Sequence, residues 1–426
     1  MLFHLLKYLN GLYYIPGGGL MQYITFRAIV AAVLALGISI WFGKHFIAYM
    51  KRHHISETQR DAKEDPFNTK KVGVPTMGGI IIIVAILIPC LLLGDFSNVY
   101  FDLMLFTMLL LGALGFADDY IKTFKKDKGG LKPRYKLIGQ IALGLIVGLT
   151  LRMSPQVTMN ETVERQIVNN KEVWVKSPDV KSTRTTIPFV KNHNANYADL
   201  FSFLGNENKY RAGWIFFCLL ITFVVAGTSN GANLNDGMDG MAAGNSAIMG
   251  ATLLVIAYMS GTTTLAAHLN IMYIPGSGEI VVFLAAFVGA LIGFLWYNFY
   301  PAQVFMGDTG SLMIGGVIAV AACMTHKEWL LPILCGVWVM EALSSFLQTR
   351  YFVSGNKKGV HRRIWTRAPI HDHYRTSFDK LQELDPGSTV IFKSSNEPQL
   401  ETKIVIRFWL VTIMLAAFTL LTFKIR

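Results

Sequence analysis

Three groups of acidic residues sit where strongly apolar stretches end. They are Asp118-Asp119, the run Asn233-Leu-Asn-Asp236-Gly-Met-Asp239-Gly240, and Phe305-Met-Gly307-Asp308. Carboxylates are costly near hydrocarbon, about 2.5–3.5 kcal/mol each at a helix centre. When the apolar stretches are counted as membrane crossings, all three groups fall on one face of the bilayer. A chain that gathers carboxylates there has a joint use for them. Holding Mg²⁺ against phosphates fits their types best, because that ion takes one or two carboxylates and fills its other positions with phosphate oxygens and water.

Each group has a plainer reading to set beside this one. Asp118 and Asp119, adjacent on a helix, project about 100° apart, so one can face a metal and the other a substrate or a basic partner. A solvated helix end explains them poorly, since acids at a helix C-terminus oppose the macrodipole. The stretch from Thr228 through Asn230, Asn233, Asp236 and Asp239 to Gly240 alternates small, amide and acidic residues. It reads as a tight loop whose backbone N–H groups could meet a nucleobase, a ribose or a diphosphate. An Asn/Gly/Asp turn with a helix cap would account for about two of those residues. Asp308, ahead of Thr-Gly-Ser, could be only a cap, but Phe305 beside it could stack on a base and Asn298 offers an amide at the membrane surface.

Basic and imidazole groups complete the set. Lys70-Lys71 precedes Pro75-Thr76-Met-Gly78-Gly79, where lysine can neutralise phosphate and Gly-Gly lets backbone approach a ligand. Lysines at a cytoplasmic helix start are also ordinary, and Lys136 after Gly130-Leu-Lys-Pro-Arg134 shares that ambiguity. His371-Asp372-His373 suggests a base, a phosphate donor or a transition-metal ligand. Zinc would need further ligands at suitable spacing, which the sequence does not offer.

The elements that must position these residues are membrane helices. The 426 residues are 52% hydrophobic and 15% charged, with a mean hydropathy of +0.41, the balance of an integral membrane protein with modest loops. The expected fold is all-α with about ten spans, at roughly 24–48, 77–95, 99–117, 136–153, 212–229, 240–259, 278–297, 309–325, 328–350 and 404–424. The first sixteen residues suit an interfacial helix better than a signal peptide. The net charge of +12 is clustered at Lys44–Lys71, Lys122–Lys136 and Lys357–Arg375, the loops after spans one, three and nine. The positive-inside rule puts those loops in the cytoplasm and both termini outside, in the periplasm. Short basic stretches flanking membrane helices argue against nucleic acid and for anionic lipid or a phosphorylated substrate. The four cysteines all lie in apolar spans, which reads as helix packing.

One lipid-embedded domain over 1–426 carries two accessory insertions. In the external 154–211 loop, Thr162–Val175 reads as a β-hairpin about Asn169-Asn170. The polar 376–403 segment separates spans nine and ten on the cytoplasmic side. No internal repeat is evident, and the acids cluster at span ends, both of which weigh against an ion-coupled transporter.

Taken together, Tyr23-Ile-Thr-Phe-Arg-Ala-Ile-Val, Pro75-Thr-Met-Gly-Gly, Ala117-Asp-Asp-Tyr, Asn233-Leu-Asn-Asp-Gly-Met-Asp-Gly and Val304-Phe-Met-Gly-Asp-Thr-Gly-Ser resemble the phospho-N-acetylmuramoyl-pentapeptide-transferase family. The likeness spans the chain outside 154–186 and 376–403. Polyprenyl-phosphate sugar-1-phosphate transferases in general share the acidic motifs; Pro75-Thr-Met-Gly-Gly and Pro369-Ile-His371 point to the muramoyl branch. The resemblance implies an inner-membrane enzyme of peptidoglycan synthesis, with its active site facing the cytoplasm. Such an enzyme takes UDP-N-acetylmuramoyl-pentapeptide and undecaprenyl phosphate to lipid I and UMP, with Mg²⁺. It implies metal-binding and catalytic roles for Asp118, Asp119 and Asp308 and catalytic roles for His371 and His373, to which the residues themselves add Lys136 as a catalytic phosphate partner. Lys71, Thr76, Asn230, Asn233, Asp236, Asp239, Asn298, Phe305 and Gln348 would line the substrate cleft, with Asp236 and Phe305 near uracil. It leaves room for a homodimer. In two places the chain departs from the pattern: Asp372 stands where the family has a middle histidine, and Val74 precedes Pro75 where threonine is usual.

Overall fold

The computed structural model describes residues 2–12, 18–53, 55, 73–127, 129–161, 163–168, 171–189, 194–356 and 361–424. Its helices are α1 (Leu2–Leu12), α2 (Ile24–Arg52), α3 (Gly79–Leu93), α4 (Val99–Phe124), α5 (Pro133–Met153), α6 (Asn206–Asn235), α7 (Met241–Ser260) and α8 (Thr263–Leu269). They continue with α9 (Gly278–Asn298), α10 (Gly307–Met324), α11 (Leu331–Leu334), α12 (Gly336–Asn356), α13 (Ile370–Arg375), α14 (Phe378–Leu384) and α15 (Glu401–Leu421). Three two-stranded sheets join them: β1 (Val163–Val168) with β2 (Lys171–Lys176), β3 (Arg184–Thr186) with β4 (Asn194–Asn196), and β5 (Arg362–Trp365) with β6 (Thr389–Phe392).

Among the described residues, eight helices are long and apolar enough to cross a membrane: α2, α4, α5, α6, α7, α9, α10 and α15. The stretch read as 328–350 is instead broken, its two parts bent by 73° between Glu328–Leu334 and the following helix. The stretch read as 77–95 yields only the 15-residue α3, because Pro75 to Met77 run outside the helix. Residues of α7, α9 and α10 are mostly buried, whereas about a third or fewer are buried in α2, α5, α6 and α15, as in helices facing lipid.

Local chemistry sets the ends. Asn98 caps α4, its side chain accepting from Tyr100 N at 2.9 Å, and Pro133 opens α5 where a missing N–H costs nothing. Helices approach closely where a side chain would not fit. A Cβ on Gly115 of α4 would lie 2.1 Å from the Asp308 carbonyl oxygen, and one on Gly79 would lie 2.2 Å from Gly310 N. The starts of α3 and α10 therefore meet backbone to backbone, and Gly78 N and Gly79 N donate to the carbonyls of Phe305 and Met306 at 2.8 and 2.9 Å. The four cysteines are buried and free.

The first insertion contains the expected hairpin, β1 and β2 pairing antiparallel with Val163 opposite Lys176; the turn residues Asn169 and Asn170 lie outside the described residues. It docks at the end of α10 away from Asp308. Thr186 N and Thr185 Oγ1 donate to the His326 carbonyl at 3.1 and 3.2 Å, and Tyr197 Oη donates to buried Glu328 at 2.5 Å. The 18 residues of α10 span roughly 27 Å at 1.5 Å per residue, close to a hydrocarbon core. The insertion and Asp308 thus sit at opposite ends of a membrane-length helix.

Candidate active site

The acidic centre forms where α4, α5 and the start of α10 converge. Helix α4 does not end at the aspartate pair, where the sequence reading placed its C-terminus, but runs on to Phe124. Both acids therefore sit on helix, and Lys122, one turn after Asp118, shares its face. Asp118 is fully buried. Lys122 Nζ lies 2.5 Å from Asp118 Oδ2 as an ion pair without hydrogen-bond alignment, and 3.4 Å from Asp308 Oδ2. Lys136 Nζ from α5 lies 3.0 Å from Asp118 Oδ1 and also contacts Asp308 Oδ2. Leu131 N donates to Asp118 Oδ1 at 2.7 Å. Two lysines thus bridge two carboxylates from different helices.

Asp119 has different work. Its Oδ1 accepts from Asp308 N at 3.0 Å, and its Oδ2 accepts from Thr309 N and Thr309 Oγ1 at 2.9 and 2.5 Å. It caps α10 from another helix, so the cap that sequence offered to Asp308 is supplied by Asp119. Asp308 is left with its side chain on the lysines. One oxygen from each of Asp118, Asp119 and Asp308 lies within 4.8 Å of the others.

A second cluster surrounds the turn between α6 and α7. Helix α6 extends through Asn235, so Asn230 and Asn233 are helical rather than part of a loop, and only Asp236 to Gly240 turn. Asn230 Nδ2 donates to Gln140 Oε1 of α5 at 3.0 Å. Asp239 is buried and accepts from Ala302 N at 3.0 Å; Asn298 accepts from Gly240 N at 3.1 Å and donates to the Val304 carbonyl at 2.9 Å. These bonds stitch the turn to the segment before α10 that carries Phe305, which is half-buried, and then Asp308. Thr76 is buried beside that segment's backbone ladder, where Phe305 N donates to the Pro75 carbonyl at 2.8 Å.

The histidines lie on α13. His371 Nδ1 is 2.8 Å from Oε2 of Glu341, an acid fully buried in α12, and its ring packs on Gly237, where an added Cβ would come within 2.2 Å of Nε2. Asp372 is held by Arg375 at 2.6 Å and Arg367 at 3.5 Å. His373 Nδ1 accepts from Thr366 N at 3.3 Å, and burial lowers the His373 pKa below the ordinary imidazole value. Gln348 accepts from Ile364 N and Trp365 N at 2.9 and 3.1 Å, which fastens β5 to α12.

The structure thus joins Asp118, Asp119, Asp308 and Lys136 directly, and joins Asp239, Asn298 and His371 around the Asp236–Gly240 turn. Lys71 lies outside the described residues. Lys122 and Glu341 went unread in the sequence. Lys122 was legible as the i+4 partner of Asp118, and Glu341 as an acid inside an apolar stretch.

The family model described as glycosyl transferase family 4 matches residues 101–326. The chain is 60% identical over 427 residues to the phospho-N-acetylmuramoyl-pentapeptide-transferase of Phocaeicola vulgatus, with both chains covered in full. It is 58% identical over 427 residues to the enzyme of that name from Bacteroides fragilis and 46% over 431 residues to that of Flavobacterium psychrophilum, again over the full length of each. The chain is a multi-pass bacterial membrane transferase and belongs to the phospho-N-acetylmuramoyl-pentapeptide-transferase family.

Proposed function

We propose that the chain transfers phospho-N-acetylmuramoyl-pentapeptide from its UDP-linked precursor to undecaprenyl phosphate, giving lipid I and UMP in peptidoglycan synthesis. The observation that carries this reading is the Asp118–Asp308 pair bridged by Lys122 and Lys136 at the start of α10. Such a cluster suits phosphoryl transfer, where positioning and charge neutralisation dominate catalysis.

The donor set also suits Mg²⁺. Three carboxylates gathered within 4.8 Å are hard oxygen ligands, with neither thiol nor imidazole among them. Because Asp119 already accepts three hydrogen bonds at the α10 start, Asp118 and Asp308 are the better holders of the ion. Bound there, Mg²⁺ supplies positive charge against the diphosphate oxygens.

The chain's own residues do the rest. Lys122 and Lys136 turn from carboxylates toward the incoming phosphates. An oxygen of the lipid phosphate attacks the sugar-linked β-phosphorus, the bond from that phosphorus to the bridging oxygen breaks, and UMP leaves with the electron pair. Asp118 would be needed as a base only for a lipid phosphate that keeps its proton. The Asp236–Gly240 turn, Phe305 and the α13 histidines hold the nucleotide and its diphosphate, with Lys71, Thr76, Asn230, Asn233 and Gln348 around them. A cavity of about 310 Å³ between α12 and α15, lined by Val337, Met340, Ile404, Phe408 and Val411 with Tyr374, Gln399 and Arg407, has the mainly apolar lining that suits a lipid tail.

The proposed setting is the bacterial inner membrane, with ten crossings once α3 and the bent α11–α12 pair are counted. The acidic centre then faces the cytoplasm, both termini face the periplasm, and a homodimer is the assembly to be tested by mass in detergent. Binding of UDP-N-acetylmuramoyl-pentapeptide and of UDP-N-acetylglucosamine by purified protein separates this reading from a sibling transferase. Selective binding of the first is expected; binding of only the second would overturn the assignment.

A further inference from the structure

The second insertion, 376–403, belongs to no motif that carries the chemistry, yet it reaches the histidine helix by a continuous run of hydrogen bonds. Its strand β6 pairs in parallel with β5, Arg362 opposite Thr389 and Trp365 opposite Phe392. Two residues beyond Phe392, Ser394 meets the chain just beyond β5. Ser394 N donates to Thr366 Oγ1 at 3.1 Å, and Thr366 Oγ1 donates to Ser394 Oγ at 3.1 Å. Ser394 Oγ in turn donates to the Thr376 carbonyl at 2.6 Å. Thr366 precedes α13 and Thr376 is the residue that ends it. One serine therefore clamps both flanks of the helix that carries His371 and His373.

The clamp bears on which nitrogen of His373 holds a proton. Thr366 N points at His373 Nδ1 from 3.3 Å, and a backbone N–H can only donate, so Nδ1 is assigned as the acceptor. A neutral imidazole with Nδ1 free of hydrogen carries its proton on Nε2. The opposite holds at His371, whose Nδ1 faces the Glu341 carboxylate and must donate to it. The two histidines, two positions apart on α13, thus turn Nδ1 to unlike partners, a carboxylate at His371 and a backbone N–H at His373. Thr366 is fully buried, and both bonds of its hydroxyl go to Ser394.

We propose that Ser394 is a positioning residue for His373: by clamping Thr366 and Thr376 it keeps the Thr366 N–H on Nδ1 and so presents His373 to the substrate phosphates as an Nε2–H donor. The proposal rests on the reading of His373 as a phosphate donor made above, and its test separates the two. Protein labelled with ¹⁵N at histidine, in lipid nanodiscs, reports the His373 tautomer without any turnover. Wild type should show one Nε2–H form, and Ser394→Ala a mixture of the two neutral tautomers, with Ser394→Thr restoring the single form. In UMP-release kinetics, Ser394→Ala should lower kcat about tenfold, the scale of small losses of alignment, while KM for the UDP-linked precursor changes much less.

An unchanged His373 spectrum in folded Ser394→Ala overturns the proposal. A fall in kcat that only tracks the fraction of folded protein, with that spectrum intact, overturns it as well. Should Ser394→Ala fold poorly, Thr366→Ser keeps the hydroxyl at the other end of the link and Thr366→Val removes it. Indistinguishable His373 spectra in that pair would equally overturn the proposal. Wild-type UMP release by His373→Asn would instead defeat the donor reading, and the spectra would still decide whether Ser394 positions the ring.

Discussion

Asp119 caps the helix that carries Asp308 in its first turn: its carboxylate accepts the backbone N–H groups of Asp308 and Thr309 at 3.0 and 2.9 Å. The aspartate pair therefore divides its labour. Asp118 faces the lysines, while Asp119 fixes the geometry of the helix start on which Asp308 rides.

That division predicts different behaviour for two substitutions at Asp119. Asp119→Asn keeps an oxygen for the cap and should melt within a few degrees of wild type while retaining measurable activity. Asp119→Ala removes the cap and should cost about 0.5–2 kcal/mol, on the scale of lost helix caps, and nearly all activity. Thermal melting in detergent with UMP release on the same samples checks it. Equal losses of activity with unchanged melting would make Asp119 a participant in the chemistry rather than a cap.

Lys136 touches both Asp118 and Asp308, as does Lys122. Replacing either by Met leaves a buried carboxylate short of a cation and strips a positive charge from the phosphate site. UMP release should fall by about 10²–10³-fold for Lys136→Met, the scale of removing a preorganised charge from a transition state. Initial-rate kinetics would show this mainly in kcat.

The Glu341–His371 contact, 2.8 Å in a fully buried setting, orients the ring against the Asp236–Gly240 turn. Glu341→Ala should lower kcat about 10²-fold by freeing the ring, the scale of about 1 Å of misplacement, with Glu341→Gln intermediate because an amide oxygen can still accept from Nδ1. A Glu341→Gln variant worse than Glu341→Ala would contradict the orienting role.

Burial lowers the pKa of His373, so the folded chain resists protonating it while the unfolded chain titrates near the ordinary imidazole value of about 6.5. The sign follows directly. Below that value the unfolded state binds the extra proton first, and stability is lost as pH falls. Melting temperature should drop between pH 7.5 and 5.5, and His373→Asn should lessen that drop.

Much of this was legible in the sequence, and the misreadings share a cause. The acidic motifs, the hairpin and most spans follow from residue type and hydrophobic period. What failed was where helices stop. Asp118 and Asp119, and Asn230 and Asn233, read as span ends because polarity begins there, yet α4 and α6 continue past them. Polar residues stay helical when their side chains find partners on neighbouring helices, as Asn230 does on Gln140. The role of Asp119 was hidden for a related reason. A cap supplied by another helix, across 189 positions of sequence, leaves no local spacing to read. The kink after Leu334 was passed over because the apolar run continues through it, although Pro332 and Gly336 flank the break.

The central claim is that Asp308, held beside Asp118 by two lysines, is the seat of a metal-assisted phosphoryl transfer. Its most direct test is UMP release by purified protein given both substrates, with Mg²⁺ or with excess chelator, for wild type and Asp308→Ala. The account predicts release by wild type that chelation abolishes and Mg²⁺ restores, and none above background from a folded Asp308→Ala. Release that survives Asp308→Ala would contradict it.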